Sequence, residues 1–216
     1  AVRTTDGTLS PNGVSLMAKL TANAGTAAHV LFNISSITVV SGTVYTASVF
    51  VKKGNHRYVF VTYEVASGVN GVTAIFDLDN PSAATQTFST GVGSLVGSSI
   101  INQGGGVYRI SVTGSVTGAG TSGYFVAGLV GAATGNPTTS TEPSWTAAGT
   151  EYGYFFGAQL EPGLFATSYI PTAAASVTRA ADVVQFTGAA LTALQGSAAT
   201  FIGQTIGLPF NPAANS

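Results

Sequence analysis

Cysteine is absent from this chain of 216 residues, and charged residues make up only 7% of it. The lack of cysteine excludes disulfides, thiolate metal sites and a cysteine nucleophile, so stability must come from burial and sheet hydrogen bonds. Ordinary soluble domains carry about 25% charged residues. Serine, threonine, asparagine and glycine must therefore provide most of the wettable surface. The length is sufficient for one main hydrophobic core.

Neither sign of charge dominates: the chain has seven lysines and arginines and eight aspartates and glutamates, for a formal net charge of −1. The densest basic group is Lys52, Lys53, His56 and Arg57, which is too small for binding through nucleic-acid phosphates. No stretch reaches the roughly 18 unbroken apolar residues of a membrane helix, and the N-terminus lacks a signal-peptide pattern. We expect no nucleic-acid partner and no membrane insertion.

Valine, threonine and 28 glycines favour strands and tight turns over helices. In Val107 to Val116, apolar and polar residues alternate, which predicts an antiparallel strand with one buried face. Ten such β-rich runs are separated by turn residues: 14–21, 29–35, 43–53, 56–65, 72–79, 85–90, 94–103, 107–116, 123–130 and 151–161. The sequence therefore predicts an all-β fold, an antiparallel β-sandwich of the jelly-roll type.

Three parts of the chain are distinguished by composition. Residues 1–12 are polar and run into a turn, so we expect a lead-in that joins something upstream or an edge strand, with ordered structure beginning near Val14. Residues 13–182 are expected to form the sandwich, and the bends and apolar residues of 162–171 predict a segment that crosses its end and ties the two sheets together. Residues 183–216 are interpreted as a linker and the start of a following β unit.

A long segment rich in glycine, proline and threonine runs from Val130 to Glu151 without strand periodicity. Loops longer than about 12–15 residues inside a compact domain are usually functional or mobile. This segment holds Trp145, the only tryptophan, and a sugar ring stacks its C–H face on an aromatic plane. Two interpretations of Trp145 stay open: an exposed glycan platform, or a lid folded back onto the core.

Four further residues are candidate glycan contacts. His56, Tyr58 and Glu64 share the less uniformly apolar face of one strand, so we expect these three side chains to look outward. The alternative is that they belong to the core, as aromatic residues on sheet faces more often do. Arg109 falls on the polar face of another strand. Its guanidinium is either a donor to a glycan hydroxyl or a surface partner of Glu64 or Asp77.

Catalytic chemistry finds little support in the sequence. The chain has two histidines and no G-x-S-x-G elbow, so a hydrolase triad is not expected. Asp77 with Asp79, or Glu64 with Asp77, could form a glycosidase acid pair, but the spacing favours solvated turn acids, and we predict no enzyme. Asp77 and Asp79 are also weak candidates for a structural calcium, although no acidic loop supplies the six to eight oxygens that such an ion takes. No other cofactor is expected.

The run GYFFGAQLEPG at residues 153–163, continued by FATSYIPT and VTRAADVV, resembles a sequence of bacteriophage head-spike and tail-fibre proteins. There it closes a jelly-roll domain that is similar to carbohydrate-binding modules. The segments YTASVFVKKGNHRYVFVTYE, AIFDLDN and GGGVYRISVTG extend the resemblance to residues 14–184.

This resemblance implies a non-enzymatic carbohydrate-binding or adhesion module of a phage-type fibre or spike, in a virion or extracellular setting. Its partners would be host cell-surface polysaccharide and other fibre or capsid proteins, and the chain would form a homo-oligomer, a trimer. Two alternatives stay open: a purely structural fibre or decoration domain of the virion, and the accessory binding module of a polysaccharide-degrading enzyme.

Overall fold

A computed structural model of the chain describes residues 1–32, 36–66, 68–135, 140–172 and 177. The chain divides into two units, residues 1–175 and 176–216, and the first contains every described residue except Val177. The expected linker and following unit at 183–216 lie outside the described residues, and so does the predicted boundary at 182.

Thirteen strands and no helix occur in the described part of the chain. The strands are β1 (Val2–Leu9), β2 (Leu16–Thr21), β3 (Gly25–Phe32), β4 (Ile37–Thr38), β5 (Val44–Lys53), β6 (Tyr58–Val65), β7 (Asn70–Asp77), β8 (Ala84–Thr90), β9 (Gly93–Gly104), β10 (Val107–Val116), β11 (Ser122–Leu129), β12 (Ser144–Ala147) and β13 (Tyr152–Pro162). All ten predicted strands are present, whereas β1, β4 and β12 were not predicted as strands by their periodicity.

The strands form two sheets in which every pairing is antiparallel. One sheet has the order β1-β2-β13-β5-β10-β9, and the other has the order β12-β3-β11-β6-β7-β8 with β4 beside β11. The predicted antiparallel β-sandwich is confirmed. The order of the central strands, β2-β13-β5-β10 against β3-β11-β6-β7, is compatible with a jelly roll.

The core lies between the inner faces of the two sheets. Strands β5 and β10 of the first sheet contribute Val49, Val51, Ile110 and Val112 to the same buried cluster as Val61 of β6. These residues alternate with outward-facing ones, as the pleat requires. Burial of apolar area at about 25 cal/mol per Å² makes this cluster the main source of stability.

The outer face of the first sheet is covered by residues 163–170. Outward-facing Thr46 of β5 donates through Oγ1 to the Gly163 carbonyl at 2.9 Å, and Tyr169 packs edge-on against Phe50 at a ring distance of 6.0 Å. The prediction that this segment crosses the sandwich end and joins the sheets is therefore wrong. Polar side chains on β5 and β10 satisfy its carbonyls, which holds it on one sheet.

The outer face of the second sheet is covered by residues that follow β11. The Thr141 carbonyl accepts hydrogen bonds from Thr73 at 2.7 Å and from Thr62 at 3.3 Å, and its amide donates to Gly68 at 3.2 Å. Phe60 and Ile75 are fully buried on this face. The outer face of each sheet is thus covered as well as the inner one. The period-two patterns in the sequence predict instead that one face of each sheet is exposed to solvent.

The N-terminal residues form the edge of the first sheet. Strand β1 pairs with β2 from Val2, opposite Thr21, to Leu9, opposite Leu16, with an irregularity after Thr5. Ordered structure therefore begins at Val2 and not near Val14, and of the two expectations for residues 1–12 the structure shows the edge strand. An edge strand pairs on one side only, which suits its polar composition.

Candidate functional site

Trp145 lies in strand β12 and not in a loop. Residues Ser144–Ala147 pair with β3, and Trp145 stands opposite Ala27. A strand of four residues directly after Pro143 is too short to show alternation, which is why its sequence does not predict it. The pairing fixes the backbone of Trp145 at the edge of the second sheet.

The indole of Trp145 is half-buried and held on three sides. Its Nε1 donates to the Leu129 carbonyl at 3.0 Å. The His56 ring stacks on it at a centroid distance of 4.9 Å and an interplanar angle of 17°, and His29 meets it edge-on at 5.1 Å. The ring also packs against the main core cluster, so it lies as a lid over the core, with part of its surface open to solvent.

The open part of the ring lines a cleft of 440 Å³, here called the Trp145 cleft. Its other lining residues are Val130, Gly131, Ala132, Thr134, Gly135, Ser144 and Thr146. None of these side chains is charged, and three carry hydroxyls. The Thr146 hydroxyl also shares a hydrogen bond of 2.5 Å with that of Thr26. The cleft is therefore lined by one aromatic residue, hydroxyl-bearing residues and glycines, and by no charged residue among those that the structure describes there.

His56 and Tyr58 support the wall of this cleft. The Nε2 atom of His56 bonds to the Val130 carbonyl at 2.7 Å, while the Val130 amide donates to the Tyr58 carbonyl at 3.2 Å. Both side chains are half-buried, and the Arg57 guanidinium lies 5.0 Å from the centre of the Tyr58 ring. They position Val130 and Trp145 and do not project freely from the sheet.

Glu64 is fully buried, so the prediction that it looks outward is wrong. Its Oε2 accepts a hydrogen bond from the Thr141 hydroxyl, and Oε1 has no hydrogen-bond partner among the described residues. Burial raises the pKa of Glu64, and hydrogen bonds from Thr141 and Gly68 partly offset this. The pKa of Glu142 is also raised, first by burial and then by the charge of Glu64. Thr141 and its neighbours cover the outer face of the second sheet, which the alternation of β6 predicts to be polar and exposed.

Arg109 is buried as well, with 8% of its surface exposed. Its guanidinium donates to the Thr167 carbonyl and through Nη2 to the Ser48 hydroxyl at 2.9 Å. Burial lowers its pKa, and the charge of Glu161 partly offsets this. Arg109 belongs to the first sheet, so the predicted surface pairing with Glu64 or Asp77 of the second sheet is wrong. Residues 163–170 bury it away from any free surface.

Asp77 and Asp79 both bind cationic side chains. Arg57 grips Asp77 with Nε to Oδ1 at 2.6 Å and Nη2 to Oδ2 at 2.5 Å, which holds the pKa of that carboxyl well below its usual range. Lys53 binds Asp79 at 2.5 Å. The Asp77 side chain is only 6% exposed, so the expectation of a solvated acid is wrong for it. The carboxylates of Asp77 and Asp79, the two weak calcium candidates, are thus both paired with cationic side chains.

The proposed acid pair of Glu64 and Asp77 is not assembled as a glycosidase pair. Asp77 stands opposite Tyr58, and Glu64 stands opposite Gly71. Six residues of strand, at about 3.4 Å each, separate the two acids by about 20 Å, whereas glycosidase carboxyls lie about 5–9.5 Å apart. No group of three or more histidine, aspartate or glutamate side chains suited to a metal is found in the described ranges.

The cleft hydroxyls and His29 are the site residues that sequence reasoning missed. A signal was present, because threonine and serine are dense on both sides of Trp145. No protein-family model matches this chain, and no curated protein matches it either. The described residues contain no helix of the length and apolarity needed to span a membrane.

Proposed function

We propose that this chain is a non-enzymatic carbohydrate-binding module that holds a neutral glycan in the Trp145 cleft. The observation that carries the proposal is the composition of the cleft, a space of 440 Å³ that is lined by one tryptophan and by the hydroxyl-bearing residues Thr134, Ser144 and Thr146. Sugar rings are recognised by an apolar surface combined with a few well-placed hydrogen-bonding groups.

None of the described residues that line the cleft is charged, which supports a neutral ligand. A uronic or sialic acid carboxylate would lose hydration there without gaining a cation, which is costly. Glycoside hydrolysis needs a general acid within reach of the scissile bond. None of the residues that line the cleft is titratable, so this surface is suited to binding and not to turnover.

The phage-type setting remains part of the proposal and is supported by the resemblance of residues 14–184. In that setting the module contacts host cell-surface polysaccharide as part of a virion fibre or spike, beside other fibre or capsid proteins. A trimeric assembly belongs to the same proposal. Light scattering of the whole chain tests it, with a trimer expected and a monomer at high concentration contradicting it.

Glycan-array binding tests the function itself. We expect the wild-type chain to retain neutral oligosaccharides, and the double variant Thr134→Val/Thr146→Val to bind them about ten- to a hundredfold more weakly, because each lost hydrogen bond is worth about 0.5–1.5 kcal/mol. Thr87→Val is the matched control, since Thr87 is exposed on β8 and does not line the cleft. An array without any neutral ligand, or equal binding by the double variant, would end the proposal.

A purely structural fibre role is the second candidate, and strand β9 favours it. This edge strand has 12 residues without proline or charge, and Ile101 and Val96 on it are each 54% exposed. Uncapped edges of this kind pair with strands of other chains. Assembly that Ile101→Lys abolishes, together with an empty glycan array, would favour this role over glycan binding.

A further inference from the structure

A second cleft of 310 Å³ lies between the two sheets, beside the edge formed by β1 and β2, and is called the edge slot here. It shares no lining residue with the Trp145 cleft. Its lining residues are Arg3, Leu16, Ala18, Leu31, Val49, Phe125, Ala127, Phe155, Phe156, Gly157 and Ala158. Strands of both sheets contribute, so the slot reaches from the edge towards the core.

The slot exists because small residues stand where larger side chains would close the sandwich. Ala18 lies on one wall and Ala127 on the other, and β13 bulges between Phe156 and Gln159. Gly157 in the bulge has a φ of 63°, and a Cβ there would come within 3.0 Å of the Phe50 ring. The bulge therefore requires glycine. The pairing of β13 with β2 ends at Phe155, just before this bulge. Packed interiors rarely hold open space of this size.

Among the described residues that line the slot, Arg3 alone is charged. Arg3 stands opposite Leu20 in the pairing of β1 with β2, and Leu20 belongs to the core cluster, so Arg3 is on the side of β1 that faces the space between the sheets. Its side chain is exposed, while the remaining lining residues are apolar or glycine. An apolar slot with one guanidinium at its edge is complementary to a molecule with an apolar tail and an anionic head.

We propose that the edge slot binds the acyl chain of an aliphatic carboxylate, with Arg3 holding the carboxylate at the entrance. A guanidinium and a carboxylate form two parallel hydrogen bonds. The chain enters space lined by leucine, valine, phenylalanine and alanine side chains, and the volume is at the small end of the roughly 300–1,000 Å³ of ligand pockets. The site is separate from the proposed glycan cleft and does not depend on it.

Three probes with the same tail and different heads test the site by calorimetry below their micelle concentrations: decanoate, decanol and decylamine. We expect saturable binding of one decanoate per chain, and binding of decylamine about ten- to a hundredfold weaker, since hydrogen bonds to charged groups are worth about 1.5–3 kcal/mol. Arg3→Gln should bind decanoate no better than decanol. Lys19→Gln is the matched control, because Lys19 lies over the Tyr152 ring, 4.0 Å from its centre, and not in the slot.

A filling variant tests the location. Ala18→Leu should abolish binding of decanoate and decanol alike, while a wild-type circular-dichroism spectrum and a cooperative thermal transition show that the variant is folded. If this variant does not fold, Arg3→Gln decides alone, because Arg3 is exposed. The proposal is overturned if the wild type does not bind decanoate, if Arg3→Gln keeps the preference for decanoate over decanol, or if a folded Ala18→Leu still binds either probe.

Discussion

Replacing Trp145 by alanine should lower the free energy of unfolding by about 3 kcal/mol, at the lower end of the roughly 3–5 kcal/mol for large aromatic truncations because the ring is only half-buried. The hydrogen bond from Nε1 to Leu129 accounts for about 1 kcal/mol of this. Stacking on His56 and the edge contact with His29 add about 0.5–1.5 kcal/mol each, and lost burial supplies the remainder. For a domain of this size the melting temperature should fall by about 6–12 °C.

Chemical denaturation followed by circular dichroism measures this change, because the variant lacks the only tryptophan. Trp145→Phe is the matched control: it retains an aromatic ring against His56 and loses the Nε1 donor, so it should lose about 1–2 kcal/mol. A loss below about 1 kcal/mol for Trp145→Ala would refute the lid placement, since that value is typical of exposed positions.

Three further predictions concern buried polar groups. Glu64→Gln should gain stability over the wild type as pH rises above 4.5, the ordinary pKa of glutamate, because the raised pKa in the folded state makes ionisation of Glu64 oppose folding. Urea unfolding across pH measures it, and a constant difference between the two proteins would contradict it. Asp77→Asn should remove stability that the wild type has above pH 3.8 and loses as the acid is protonated below it; equal acid sensitivity of the two proteins would count against the Arg57 contact. Arg109→Ala should cost about 2–3 kcal/mol by loss of its hydrogen bonds to Thr167 and Ser48 and leave glycan affinity unchanged, and weaker glycan binding would revive the ligand role.

Alternation along the strands predicts the sandwich well, because it depends only on the pleat. The run from Val107 to Val116 matches β10 at both ends. In β6, the face with the more uniformly apolar centre carries Val59, Val61 and Tyr63, and all three are buried as this pattern predicts. Patterns of this kind report local geometry and the need to bury one face.

The covering of the outer faces could not be predicted in the same way. Glu64 and Arg109 lie on polar faces, and segments with no periodicity of their own bury both side chains. The contact between Arg109 and Thr167 spans 58 positions of the sequence, and the contact between Glu64 and Thr141 spans 77. No local pattern encodes contacts over such separations. Strand β12 is missed because four residues are too few to show a period, and with it the placement of Trp145.

Binding of a neutral glycan against the indole of Trp145 can be followed by fluorescence. Since this is the only tryptophan, its fluorescence reports on the cleft alone, and titration with a neutral oligosaccharide retained on the array tests the claim directly. We expect a saturable change in emission with the same dissociation constant as calorimetry, with weaker binding in Thr134→Val/Thr146→Val and unaltered binding in Thr87→Val. Calorimetric binding of the oligosaccharide with no change in Trp145 emission would contradict it.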